Sequence, residues 1–142
     1  MTALWLIDPT QLVPPSGTGS RRLRKRGDPL IDLVALKQAI SDGALERDDV
    51  WLATDDCEKN VQDLTWAIDD ILGCLVCLHP EDHRSSEWCK DRYGKWHACD
   101  AYAIRYDDRS RRRVRYSDIN YYLKFSLDED GALTLVLISC HL

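Results

Sequence analysis

The 142-residue sequence has no run of about eighteen apolar residues, so it offers no segment that crosses a bilayer as a helix. Its start, Met1 to Asp8, has too short an apolar stretch and no basic region ahead of it to serve as a secretory signal. A cytoplasmic location with no membrane partner is therefore the expectation. The chain also lacks a Gly-rich phosphate loop, a G-x-S-x-G elbow and an H-E-x-x-H pair, which removes support for nucleotide hydrolysis, serine-hydrolase and zincin chemistry. Six cysteines (Cys57, Cys74, Cys77, Cys89, Cys99, Cys140) in a chain with no export signal read as reduced thiols that pack, not as a disulfide framework. Cys74 and Cys77 form a C-x-x-C, and His79, His83, Cys89 and Cys99 follow, which raises zinc as a reading. The pair falls inside the apolar stretch Ile71 to Leu78, however, where cysteine behaves as a small buried hydrophobe. Packing is the preferred reading, and no metal or cofactor is expected.

What is present suits one folded domain: 44% apolar and 30% charged residues over a length that buries a core without staples. The net charge of -5 argues against a polyanionic ligand for the chain as a whole. Its distribution argues otherwise. Ser41 to Asp70 holds ten acids and two bases, whereas Arg84 to Lys124 holds eleven bases and six acids. One face can then meet a polyanion while another meets a basic partner, although a charge run is as readily a solvated surface.

Residues Thr10 to Gly27 contain Pro14, Pro15, Ser16, Gly17, Gly19 and Ser20 and then Arg21, Arg22, Arg24, Lys25 and Arg26, and read as a flexible basic arm. The expected organisation is an arm over residues 1–28 and a single domain over 29–142. Asp28 before Pro29 signals a helix start, and Leu30, Leu33, Val34 and Ile40 give a stripe that Gly43 ends, so Pro29 to Asp42 is expected to be helical. Val50 to Ala53 reads as a short strand, and Thr54, Asp55 and Asp56 as the cap of a brief helix through Val61. Leu64 to Leu78 has Ile68, Ile71, Leu72 and Leu75 at helical spacing and Pro80 just beyond.

After Pro80 the period falls from 3.6 toward 2. Strands are expected at Arg84 to Lys90, Lys95 to Tyr106, Ile119 to Leu127 and Ala132 to His141, with turns at Asp91 to Gly94, Asp107 to Arg113 and Asp128 to Gly131. Helices followed by an antiparallel meander make an α+β fold in which N-terminal helices cover one face of a C-terminal sheet and leave the other open. The last strand is apolar on both sides and is expected to lie centrally.

Alternation places His97 with Cys99 and Ala101, and places Tyr122 and Lys124 opposite the core residues Leu123, Phe125 and Leu127. His141 ends the last strand. If these positions converge, the open face carries two imidazoles, a phenol and an ammonium, flanked by guanidinium groups from Arg84, Arg92 or Arg105. That set suits cleavage of RNA by its own 2′-hydroxyl, which needs a base, a cation for the phosphorane charge and an acid for the leaving 5′-oxygen. His97 and His141 are the candidate base and acid, Tyr122 the hydrogen-bond donor or proton shuttle, and Arg84, Lys124 and Arg105 the phosphate ligands. A strand histidine is more often a structural or surface residue than a catalyst, and a Tyr beside a Lys is an ordinary strand pair. The run Arg109, Arg111, Arg112, Arg113, Arg115 is either a solvated hairpin tip or a grip on RNA backbone.

Over Leu30 to Leu142 the sequence resembles the MqsR toxins of bacterial toxin-antitoxin systems. The resemblance is clearest at Tyr122-Leu123-Lys124 and in Leu135 to His141, where a serine stands two residues before a basic residue. Trp96 and the segment Leu64 to Leu78 also have counterparts. The resemblance implies a RelE-like fold and a metal-independent, ribosome-independent mRNA endonuclease neutralised by a cognate antitoxin protein. It places the family's active tyrosine on Tyr122, its glutamine on His97 and its last-strand lysine on His141. A further lysine falls on or near Ser85, with Arg84 the nearest cation. Histidine at two of these places is a competent acid-base substitute. The alternative is a non-catalytic, protein-binding regulator of the same fold.

Overall fold

A computed structural model of the chain describes residues 4–16, 21–115, 119–129 and 131–142. Gly17, Gly19 and Ser20 of the expected arm, Met1 to Ala3 and Asp130 of the last turn lie outside the described residues. The architecture is α+β. Its helices are α1 (Leu33–Ser41), α2 (Asp55–Leu64) and α3 (Ile68–Val76). Its strands are β1 (Arg22–Arg24), β2 (Val50–Leu52), β3 (His83–Lys90), β4 (Trp96–Asp107), β5 (Arg112–Arg113), β6 (Asn120–Asp128) and β7 (Thr134–His141), and the sheet order is β1-β3-β4-β6-β7-β2 with β5 paired to the end of β4.

Capping explains where the helices depart from expectation. Asp32, not Asp28, caps α1 by accepting the Ala35 N–H at 3.1 Å, so the helix begins four residues later than Pro29. Thr54 caps α2 through the Cys57 N–H, as expected, but the helix runs on to Leu64 and stops at Thr65 in the left-handed region, φ 57°. Asp70 then accepts the Ala67 N–H at 2.7 Å and starts α3. The expected helix Leu64 to Leu78 is thus the end of one helix and a separate shorter one. Its apolar spacing persists across the turn because Leu64 and Trp66 also pack on the core.

Four strands lie within two residues of their expected bounds. The sheet, however, is mixed, not wholly antiparallel. Val50, Trp51 and Leu52 run parallel to Leu135, Val136 and Leu137, and the ladder continues through the Ala53 N–H to the Leu137 carbonyl at 2.9 Å. β7 therefore lies between β6 and β2, which accounts for its apolar residues on both faces: Leu135 and Leu137 meet the helices, Val136 and Ile138 the opposite side. The basic arm also joins the sheet, since β1 pairs antiparallel with β3 and Leu12 and Leu23 pack with Leu30, Trp88 and Ala98.

Helices cover one sheet face with a core that includes Leu36, Ile71, Leu75, Tyr102, Leu123 and Phe125, all fully buried. Each such side chain contributes about 1.5–3 kcal/mol by leaving water. Tyr102 and Phe125 stack at 5.7 Å, and Trp66 stacks on Tyr121 at 4.8 Å.

A buried polar chain fixes the N-terminal segment to this face. Asp100 accepts the Leu30 N–H at 3.0 Å, the Ile31 N–H at 2.9 Å and the Ser86 hydroxyl. The His83 Nε2 lies 3.0 Å from the same hydroxyl, and the Gly27 N–H donates to His83 Nδ1 at 3.0 Å. A ring whose Nδ1 accepts carries its proton on Nε2 when neutral, so donation runs from Gly27 to His83, to Ser86, to Asp100. Asp100→Ala leaves three buried donors without an acceptor and is expected to destabilise the protein by about 3 kcal/mol or more. Urea unfolding checks the magnitude; a loss under about 1 kcal/mol contradicts this account.

Candidate functional site

The face not covered by helices carries Ser85, Glu87 and Cys89 from β3, His97, Cys99, Ala101, Ala103 and Arg105 from β4, Tyr122 and Lys124 from β6, and Ser139 and His141 from β7, as the pairing register requires. His141 is there because of a bulge. Lys124 pairs with Ser139 but Phe125 with Leu137, which leaves Ile138 without a partner residue on β6. Unbroken alternation from Leu135 and Leu137 would have turned Ser139 and His141 into the core. The extra residue instead sends Cys140 inward beside Leu123 and brings His141 out opposite Tyr122.

Small residues then leave room. Ala101 lies across from Lys124 and Ala103 from Tyr122, and a shallow pocket of about 230 Å³ opens between Arg84, Glu87, Tyr122, Lys124, Ser139 and His141. The Tyr122 ring is tilted 31° to that of His141 with centroids 5.7 Å apart, and 45% of the tyrosine is exposed. His141 Nδ1 lies 2.8 Å from the main-chain oxygen of Leu142. An oxygen of that kind only accepts, so Nδ1 donates and Nε2 of the neutral ring is left as a base. Lys124 is paired to Glu87 through its Nζ. Burial lowers the lysine's proton affinity, but the bond to the Glu87 carboxylate outweighs it and holds the ammonium above its ordinary range. Lys124 is therefore a fixed cation, not a base.

Of the residues expected at the site, Arg84, Tyr122, Lys124 and His141 converge, and Ser85 lines the same pocket. Arg105 shares the face but lies outside the pocket lining, two residues beyond Ala103, and donates to the Arg115 carbonyl at 3.4 Å. Arg92 is held elsewhere, by the Leu52 carbonyl and Glu58. The arginine run divides. Arg111 pairs with Asp70 at 2.9 Å and Arg113 with Asp82, tying the hairpin to the helical layer, while Arg109 and Arg112 are exposed.

His97 does not join the cluster. It is 7% exposed, four residues from Ala101 along β4, which is about 13 Å of strand. Its Nε2 lies 2.8 Å from Asp91, and its ring stands edge-on to Trp51 at 6.4 Å. The expected imidazole pair is thus one imidazole, and the other braces the β3–β4 turn. His83 is consumed by the Asp100 chain, and His79 lies beside Glu81 on the surface. Cys74 sits in the core and Cys77 ends α3; among the described residues no three His, Cys, Asp or Glu gather as metal ligands.

Glu87 is the site residue that sequence reasoning missed. The signal that places it on the open face is the alternation Ser85, Glu87, Cys89 along β3. No family model matches the chain, and neither curated proteins nor solved structures match it.

The Asp91–His97 brace predicts an acid-sensitive turn. Burial pushes the Asp91 carboxyl up, yet the bond from His97 and those from the Lys95 and Tyr93 N–H groups outweigh it and hold the group below its ordinary value of 3.8. A carboxyl lowered on folding contributes stability above its unfolded value and loses it as pH falls through the folded one. The Tm deficit of Asp91→Asn relative to wild type is expected to be full near pH 7 and to shrink below pH 3.8. A deficit that stays constant across that range contradicts the assignment.

Proposed function

We propose that the chain is an endoribonuclease toxin of the cytoplasm that cleaves mRNA without a metal and is neutralised by a cognate antitoxin protein. The observation that carries this reading is the convergence of His141, Tyr122, Lys124 and Arg84 on one open pocket. The Tyr122-Leu123-Lys124 resemblance to the MqsR toxins supports it, and within this proposal the α+β layering is read as RelE-like.

In the proposed reaction the 2′-oxygen attacks the adjacent phosphorus while its proton passes to His141 Nε2. Lys124 and Arg84 stabilise the charge that builds on the phosphorane oxygens. The P–O5′ bond breaks as O5′ takes a proton from the Tyr122 phenol, giving a 2′,3′-cyclic phosphate and a 5′-hydroxyl. Water then returns the phenol proton, and His141 loses its own to solvent. Glu87 keeps Lys124 aimed at the pocket, and Arg105 extends the cationic face past Tyr122.

Incubation of the purified protein with mixed-sequence RNA in EDTA tests the reading, with chemical mapping of any new ends. Cyclic phosphate ends are expected. His141→Ala should lower the cleavage rate by about 100-fold or more. Expression of the chain alone should arrest growth, and co-expression of the antitoxin should restore it. RNA left intact with and without translating ribosomes overturns the nuclease reading and favours the protein-binding regulator.

A further inference from the structure

At the other end of the open face stands an aromatic pair that the proposed chemistry does not use. Tyr93 is 81% exposed, and its ring stacks on Trp51 with centroids 6.1 Å apart and planes within 12°. The pair is built on a buried support. Asp91 accepts the Tyr93 N–H at 2.8 Å and the Lys95 N–H at 3.1 Å, Gly94 takes the left-handed φ of 82° that this turn needs, and Asp91 also holds His97. His97 in turn stands edge-on to Trp51. A buried histidine hydrogen-bonded to Asp91, a capped turn and a tryptophan thus support one solvent-facing tyrosine. The pair lies on the pocket's side of the sheet, because Trp51 pairs with Val136 and packs with Cys89, Cys99 and Ile138.

We propose that Trp51 and Tyr93 form a subsite that stacks an unpaired nucleobase of single-stranded RNA, a few nucleotides along the strand from the bond cleaved beside His141. The proposal rests on the nuclease reading. Arg84 and the Glu87-paired Lys124 line the pocket, while Arg92, beside Tyr93 in the sequence, pairs with Asp55 at 3.6 Å and Glu58 at 3.2 Å. In this proposal phosphate is gripped at the pocket end, as in the nuclease reading, and the base is held by its π face at the other. Single-stranded RNA presents the splayed bases that such a surface takes, whereas a duplex keeps its bases stacked within itself.

The test uses dye-labelled 2′-O-methyl dinucleotides and hexanucleotides, which cannot be cleaved through the 2′-oxygen, with affinities read by fluorescence anisotropy. Wild type should bind the hexanucleotide more tightly than the dinucleotide, and Tyr93→Ala should cut that gain by about tenfold. Tyr93→Phe should keep it. The slope of log affinity against log salt should stay the same in Tyr93→Ala, because no phosphate contact is removed. An undiminished gain, an equal loss for both lengths, or a flatter salt slope overturns the platform. If wild type cleaves RNA while Tyr93→Ala retains the full gain, the platform alone falls. If wild type neither binds nor cleaves RNA, platform and nuclease reading fall together.

Discussion

The buried Asp100 side chain sets the constraints that the rest of the fold obeys. It stands on β4 with no exposed surface and accepts from two main-chain N–H groups of the segment before α1 and from Ser86. A polar group so placed is tolerable only when its neighbours satisfy it. Leu30, at a bend, and Ile31, in a bridge to Trp5, are therefore held outside the helix, and α1 starts after them. The same bonds bring Leu30 onto Trp88 and Ala98 and draw the basic segment alongside β3. Helical layer, arm and sheet are joined at one carboxyl group.

That layer explains why the opposite face is free for chemistry. Among the described residues helices and arm pack on one side, and on the other the alanines and serines of β3, β4 and β7 leave a hollow. The β7 bulge decides what enters it. Shifting the register by one residue moves a strand's side chains to the other face, and here the shift affects only the last three residues of the strand. Leu135 and Leu137 stay in the core, and His141 changes sides. A buried core stretch and an imidazole on the open face are obtained from one strand because the irregularity falls between them.

Much of this was legible in the residues, and the failures have physical causes. The four long strands followed from alternation and from turn residues at Asp91 to Gly94 and Asp128 to Gly131, since both are local signals. Tyr122 and Lys124 were placed on the open face by the apolar character of Leu123, Phe125 and Leu127. The parallel β2, the addition of β1 and the split of Leu64 to Leu78 were not legible. Strand neighbours depend on long-range pairing, and a left-handed Thr65 leaves no mark in an apolar pattern that Trp66 continues. His141 reached the open face in the sequence reading only through its place at the strand end; strict alternation argued against it, and the bulge reconciles the two.

The histidines show why residue type alone misassigned part of the site. His83, His97 and His141 all lie on strands, and each has a ring nitrogen close to an oxygen. What separates them is the partner. His83 is closed on both nitrogens by Gly27 and Ser86, and His97 faces a carboxylate that is itself held by two main-chain donors. Both are spent on structure. His141 uses one nitrogen on a main-chain oxygen and lines a solvent-open pocket that already contains the Glu87-paired ammonium of Lys124. A base that works on phosphate needs that combination, an oriented ring with one bare nitrogen and a nearby cation that does not compete for its proton. Lys124 meets the second condition because Glu87 keeps it charged, so the carboxylate that sequence reasoning overlooked allows the lysine and the histidine to act as different kinds of group in the same pocket.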